Sequence, residues 1–143
     1  MKKITVINGP NLNFLGIREK EVYGSENYES LCEYIENYCS KKKIEVEIFQ
    51  SNSEGQIIDF LQKAYYEKVD GIVINPGAYT HYSYAIFDAL KSVLIPTVEV
   101  HLSDIYNRED FRKVSVTAPA CVKQIYGKGK DGYIEAIKFL VEK

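Results

Sequence analysis

Residues 71–101 read GIVINPGAYTHYSYAIFDALKSVLIPTVEVH. Two short β-branched runs, Gly71–Asn75 and Thr97–His101, bracket a segment in which Ala85, Ile86, Ala89, Leu90 and Val93 recur at helical spacing. Strand, helix and strand in that order form a crossover unit, and strands joined in this way lie parallel in one sheet.

The alternation continues in both directions. KITVIN (Lys3–Asn8) and IEVEIF (Ile44–Phe49) are strand-like runs upstream, and VKQIYG (Val122–Gly127) is a weaker one downstream. Leu31, Ile35 and Tyr38 line one face of a first helix. Ile57, Ile58, Leu61, Ala64 and Tyr65 line a second, opened by the capping box SEGQ at Ser53. After Gly132, a last helix carries Tyr133, Ile137, Leu140 and Val141. No repeat, linker or low-complexity tract interrupts the order, so one domain spanning 1–143 is expected. Right-handed crossovers then predict a doubly wound, five-stranded parallel sheet of flavodoxin-like order in a three-layer α/β/α fold. Such a sheet has a crevice beside the carboxyl ends of its first and third strands.

Composition narrows the function classes. The 143 residues are 45% hydrophobic and 27% charged, which suits one globular unit with a real core. A formal net charge of -2, with no like-charge run longer than Lys41–Lys43, argues against a nucleic-acid partner. No apolar run approaches membrane-helix length, and MKKITVINGPN has no small-residue cleavage site, so the expected location is the cytoplasm. Three cysteines without a CxxC pair give no disulfide framework. Cys32 and Cys39, seven positions apart on one helix, would be separated by about 10 Å and read as reduced thiols. Twelve tyrosines and no tryptophan, many at helix-surface positions, suit subunit interfaces.

The strand ends hold the chemistry. NGPNLNFLGIREKEVYG follows the first strand, NPGAYTHYS the third, and EVHLSD spans the end of the fourth. Both histidines, His81 and His101, fall there, with Asn8, Asn11, Asn75 and Ser103. Glu99 precedes His101 by two positions, on the same side of a strand, where a carboxylate can orient an imidazole acting as general acid. Tyr23 lies five residues after Arg18. A phenol with an ordinary pKa near ~10 is a poor base, but a neighbouring guanidinium stabilises its anion. Uncharged asparagine amides suit a developing oxyanion. The set fits proton abstraction beside a carbonyl followed by acid-assisted loss of hydroxyl, against a looser ligand-binding site as the alternative. His81, His101 and Asp104 as metal ligands lack any HExxH or cysteine-rich spacing. A flavin or nucleotide module would want a hydroxyl-bearing phosphate loop after the first strand, and NGPNLNFLG has none. A phospho-acceptor receiver would need an aspartate where Asn75 stands.

Five ordered blocks extend these motifs over nearly the whole chain: NGPNLNFLGIREKEVYG, QSNSEGQIIDFLQKA, INPGAYTHYSYAIFDAL, PTVEVHLSDIYNREDFR and IYGKGKDGYIEAI. On them the chain resembles the type II 3-dehydroquinate dehydratases (type II dehydroquinases). The resemblance implies anti elimination of water from 3-dehydroquinate to 3-dehydroshikimate in the shikimate pathway, without metal or organic cofactor. It also implies a homo-oligomer, a dodecamer built from trimers. Tyr23 would then be the base, Arg18 the residue that keeps it ionised, and Asn11 a partner of a water or the enolate oxygen. His101, oriented by Glu99, would protonate the leaving hydroxyl. Asn75, Ser103 and the Leu102 backbone N–H would hold the substrate carboxylate, with His81 and Arg112 on the ring hydroxyls. Asp88, off the core face of its helix, would reach into the adjacent subunit's site. Lys20, Tyr82 and Asp104 depart from the family's usual proline, threonine and asparagine; Asp104 would add negative charge near a site for an anion. The plain alternatives are a solvated Arg112, a Glu99 paired elsewhere in the sheet, and an Asp88 that is only surface charge.

Overall fold

The computed structural model describes residues 1–17 and 27–142. Strands β1 (Lys3–Asn8), β3 (Gly71–Asn75) and β4 (Thr97–His101) are buried over almost their whole length. That is the environment of inner strands in a parallel sheet covered on both faces. The more exposed β2 (Glu45–Gln50) and β5 (Lys123–Tyr126) form the edges of the order β2-β1-β3-β4-β5, with every pairing parallel. This is the expected doubly wound order, and β1 and β3 flank the point where it reverses.

Side-chain alternation divides the core between two layers. Val6, Val73, Val98 and Val100 pack against helices α1 (Tyr28–Lys41) and α4 (Asp131–Val141) through Leu31, Ile35, Tyr133 and Ile137. Ile7, Ile72 and Ile74 pack on the other face against α2 (Glu54–Tyr66) and α3 (Tyr84–Val93), through Ile57, Leu61, Ile86 and Leu90. Among the described residues no helix is long and apolar enough to cross a membrane.

Several local expectations shift. Edge strand β2 runs one residue later than the apolar pattern suggests, and β5 is shorter by one residue at each end. Tyr65 and Ala85 are exposed, because α2 and α3 each bury a narrower stripe than the sequence pattern includes. The box at Ser53 forms by half: its hydroxyl accepts the Gln56 N–H at 3.2 Å, but the Gln56 side chain accepts from Ser51 instead. The reciprocal box occurs at Asn27 and Ser30, at the start of α1.

Two turns then bring the ends of β1 and β3 together. Asn8 and Asn75 are register partners, and the Gly9 N–H donates to the Asn75 carbonyl at 2.7 Å. A Cβ on Gly9 would stand 2.4 Å from the Pro76 carbonyl oxygen, so only glycine permits this approach. Gly77, at φ +62, meets Pro10 across the same gap.

Candidate active site

The pocket at this junction has a volume of about 90 Å³. Pro10, Asn11 and Leu12 line it from the turn after β1, and Asn75, Gly77, Ala78 and His81 from the segment after β3. His101, Leu102, Ser103, Ile105, Arg108 and Arg112 close it from the end of β4 and the turns beyond. Asn11, Asn75, His81, His101, Leu102, Ser103 and Arg112 are thus gathered around one cavity, and Glu99 lies directly behind His101. Tyr23 and Arg18 lie outside the described residues, as does Lys20. Asp88 is exposed on α3 and does not line the pocket of its own chain.

Glu99 is 0% exposed, and its carboxylate is fully engaged. Oε2 accepts from His101 Nε2 at 2.8 Å, Gln124 Nε2 at 2.8 Å and the Ser115 hydroxyl at 2.9 Å, while Oε1 accepts from Thr117. Burial alone pushes the carboxyl pKa up, but the bond and charge of His101, with the bonds of Thr117 and Gln124, bring it below the ordinary value. An ionised carboxylate only accepts, so His101 Nε2 carries a proton.

His81 is set the opposite way. Burial, more than any other influence, pulls its pKa down; the Val114 carbonyl opposes this and the Arg112 charge adds to it. The Val114 oxygen, 2.7 Å from Nδ1, only accepts, so Nδ1 holds the proton and Nε2 of the neutral ring is an acceptor. Arg112 donates through Nε to Glu109 at 2.9 Å, which fixes one edge of its guanidinium. The two histidines of the pocket are thus held in opposite senses, His101 through Nε2 on Glu99 and His81 through Nδ1 on Val114.

The turn after β1 is poorly suited to phosphate. Pro10 has no N–H, the Asn11 N–H donates to Asn52 at 3.0 Å, and the Leu12 N–H to Gly9 at 3.3 Å. Asn11 adopts a left-handed conformation at φ 70, one that asparagine tolerates better than most residues. Asp104 adds no charge to the pocket lining: its carboxylate caps a turn, accepting the Tyr106 N–H at 3.0 Å and the Asn107 amide at 2.9 Å. Tyr82 is 59% exposed, its ring against that of Tyr79. Among the described residues, no three of His, Cys, Asp or Glu come together as a metal-ion site.

The sequence reading passed over Arg108, which lines the pocket four residues before Arg112, and over Ser115, Thr117 and Gln124, which surround Glu99. Gln124 had a usable signal, since one strand places it opposite Glu99 in the sheet. Ser115 and Thr117 sit in an irregular segment whose path no local pattern fixes.

A family model described as dehydroquinase class II matches residues 2–141. The 3-dehydroquinate dehydratase of Clostridium beijerinckii is 64% identical over 138 residues, covering 96% of this chain and 94% of that protein. That of Caldicellulosiruptor bescii is 61% identical over 142 residues, covering 99% and 98%. The crystal structure of type II dehydroquinase from Butyrivibrio crossotus superposes with TM-score 0.97 at 63% identity, covering 98% of this chain and 97% of that one. The type II dehydroquinase of Propionibacterium acnes superposes with TM-score 0.96 at 37% identity, covering 100% and 98%. With its fold and nearly its full length in common with these proteins, the chain belongs to the class II dehydroquinase family.

Proposed function

We propose that this chain is a 3-dehydroquinate dehydratase, removing water from 3-dehydroquinate to give 3-dehydroshikimate in the shikimate pathway. The observation that carries the reading is the buried Glu99–His101 pair, 2.8 Å apart, with His101 lining a pocket that also holds Asn75, His81 and Arg112.

In this reading the Tyr23 phenolate, kept ionised by Arg18, takes a proton from the carbon beside the ketone, and the electron pair passes to the carbonyl oxygen as an enolate. Asn11 stabilises that oxygen or a water bound to it, without bringing a charge of its own. When the enolate collapses, the carbon–oxygen bond on the far carbon breaks, and His101 gives the leaving hydroxyl the proton that makes it water. Glu99 keeps the imidazole oriented and stabilises its cation. The substrate carboxylate rests on Asn75, Ser103 and the Leu102 N–H, while His81 Nε2 accepts from a ring hydroxyl and Arg112 donates to one. Asp88 serves the site of an adjacent subunit, within a dodecamer of trimers located in the cytoplasm. The reaction needs no metal or organic cofactor.

Appearance of the conjugated enone from 3-dehydroquinate, followed by ultraviolet absorbance, tests the activity directly. Tyr23→Phe keeps the ring and loses the ionisable oxygen, so kcat collapses while KM changes little. Turnover near wild type in that variant refutes the assigned base. Borohydride added with substrate leaves no covalent adduct; a mass increase on a lysine would overturn the enolate route in favour of a Schiff base.

A further inference from the structure

We infer that Tyr133 and Asn8, which do not line the pocket, are positioning residues that fix the Asn75 amide with a donor toward the substrate anion. The inference rests on the reading of Asn75 as a carboxylate-binding residue.

A one-way chain of hydrogen bonds carries it. The Gly77 N–H, which only donates, lies 3.2 Å from one terminal atom of the Asn75 side chain, and that atom must therefore be Oδ1. The other atom is then Nδ2, which donates to the Tyr133 phenol at 3.0 Å. With its lone pair so engaged, the Tyr133 hydroxyl donates onward to Asn8 Oδ1 at 2.6 Å. Asn8 Nδ2 in turn approaches the Tyr28 hydroxyl at 3.4 Å. Every member points the same way, from a backbone N–H at the pocket to the first turn of α1.

Burial gives the polarity its force. Tyr133 and Asn8 are 0% exposed and Asn75 is 4% exposed, so no water substitutes for a missing partner. Burial holds the Tyr133 phenol protonated well above the usual range, against the opposing bond from Asn75, so its proton stays committed to Asn8. A flip of the Asn75 amide would set Nδ2 against the Gly77 N–H, donor to donor. Asn75 has two amide hydrogens, and Tyr133 takes one. With Asn75 lining the pocket, the second suits an anion there, whereas a flipped amide would present a carbonyl oxygen and repel it.

The test uses the full-length assembled enzyme with two ligands, 3-dehydroquinate and its analogue bearing a carboxamide in place of the carboxylate. Tyr133→Phe removes the acceptor that holds the Asn75 Nδ2 and leaves the Gly77 N–H as the one bond of this chain that still orients the amide. KM for 3-dehydroquinate rises roughly tenfold with kcat within about twofold, while inhibition by the carboxamide changes less than about twofold. A merely structural role would weaken both ligands alike. Asn8→Ala, which leaves the Tyr133 proton without its acceptor, gives a smaller change of the same sign and serves if the phenylalanine variant does not fold. Asn75→Asp tests the underlying reading, since a second carboxylate in the pocket raises KM for 3-dehydroquinate far more than Ki for the carboxamide. If Asn75→Asp behaves so and the Tyr133 and Asn8 variants leave KM unchanged, or weaken both ligands equally, the positioning role is wrong. If Asn75→Asp itself leaves KM unchanged, the carboxylate assignment has failed.

Discussion

Gln124 stands opposite Glu99 in the register of β4 and β5, and its amide donates at 2.8 Å to the carboxylate oxygen that also takes His101. An edge strand of the sheet thus helps fix the charge state of a group two positions from the pocket.

That charge is the subject of the first prediction. Glu99→Gln preserves shape, but it removes the anion that stabilises an imidazolium at His101 and turns an amide N–H toward donors already present. In the proposed reaction kcat falls by about 10²–10⁴, the usual contribution of a positioned acid, with a much smaller change in KM. Turning an amide N–H toward the donors that now share the carboxylate also costs about 1–3 kcal/mol of stability at neutral pH. The pH dependence has a definite sign. With the Glu99 carboxyl held below the ordinary 4.5, the unfolded chain binds more protons than the native state as pH falls past that value. The stabilisation is therefore complete above about 4.5 and is lost as pH falls through the depressed native value. Chemical denaturation from pH 7 downward should show wild type and Glu99→Gln converging in acid; a constant difference across the range counts against this account.

His81 offers the complementary case. Its pKa is lowered from 6.5, so the native state resists a proton that the unfolded chain accepts. Stability is full above 6.5 and declines as pH falls below it toward the native value. His81→Asn retains a donor placed for the Val114 carbonyl and loses the Nε2 acceptor. The slope of stability between pH 7 and 5 should flatten in this variant, and KM for 3-dehydroquinate should rise roughly fivefold to twentyfold with kcat less affected. An unchanged KM would remove His81 from the set that contacts the substrate.

The features legible in the sequence were those with a short period or a sharp boundary. β1, β3 and β4 begin and end where the sequence pattern puts them, because each ends at a strand-tip Asn or His followed by turn chemistry. The two-residue alternation was enough to put Glu99 and His101 on one side of β4. The bounds of β2 lie one residue later than the apolar run because polar Gln50 still pairs with Asn8 of β1, and apolar residues alone do not mark a strand's end. The partners of Glu99 and of Asn75 were hidden for a different reason: Tyr133 meets Asn8 across 125 positions and Asn75 across 58, and Thr117 reaches Glu99 from an irregular segment. Such pairs are fixed by the closed sheet and its covering helices.

Gly9 tests whether the meeting of the two turns is rigid. A methyl group there would lie 2.4 Å from the Pro76 carbonyl oxygen and 2.6 Å from its carbon, both backbone atoms that no rotamer change moves aside. Gly9→Ala must therefore separate the ends of β1 and β3, at a cost of about 2–3 kcal/mol in thermal or urea unfolding. The same displacement moves Asn75 relative to Asn11, so kcat/KM falls even in the fraction that folds. Gly55→Ala is the control, since the nearest atom to its Cβ is the Ser53 hydroxyl at 3.8 Å and it leaves activity unaltered.

Asp88 decides whether the site is completed by a neighbour. It is exposed on α3 while Ile86, Ala89 and Leu90 are buried, so its side chain points away from the chain that carries it. If each site combines His101 of one subunit with the Asp88 carboxylate supplied by another, Asp88→Ala and His101→Ala are each severely impaired alone. Co-expressed in equal amounts, they assemble some sites in which a subunit with intact His101 meets a neighbour with intact Asp88. In a ring of heterologous contacts with random mixing, roughly a quarter of all sites regain both groups. Co-purified mixed assemblies, separated by two affinity tags, should then recover about a quarter of wild-type turnover per chain. If Asp88 serves its own chain, or only carries surface charge, no mixed site gains anything and turnover stays at the average of the two variants.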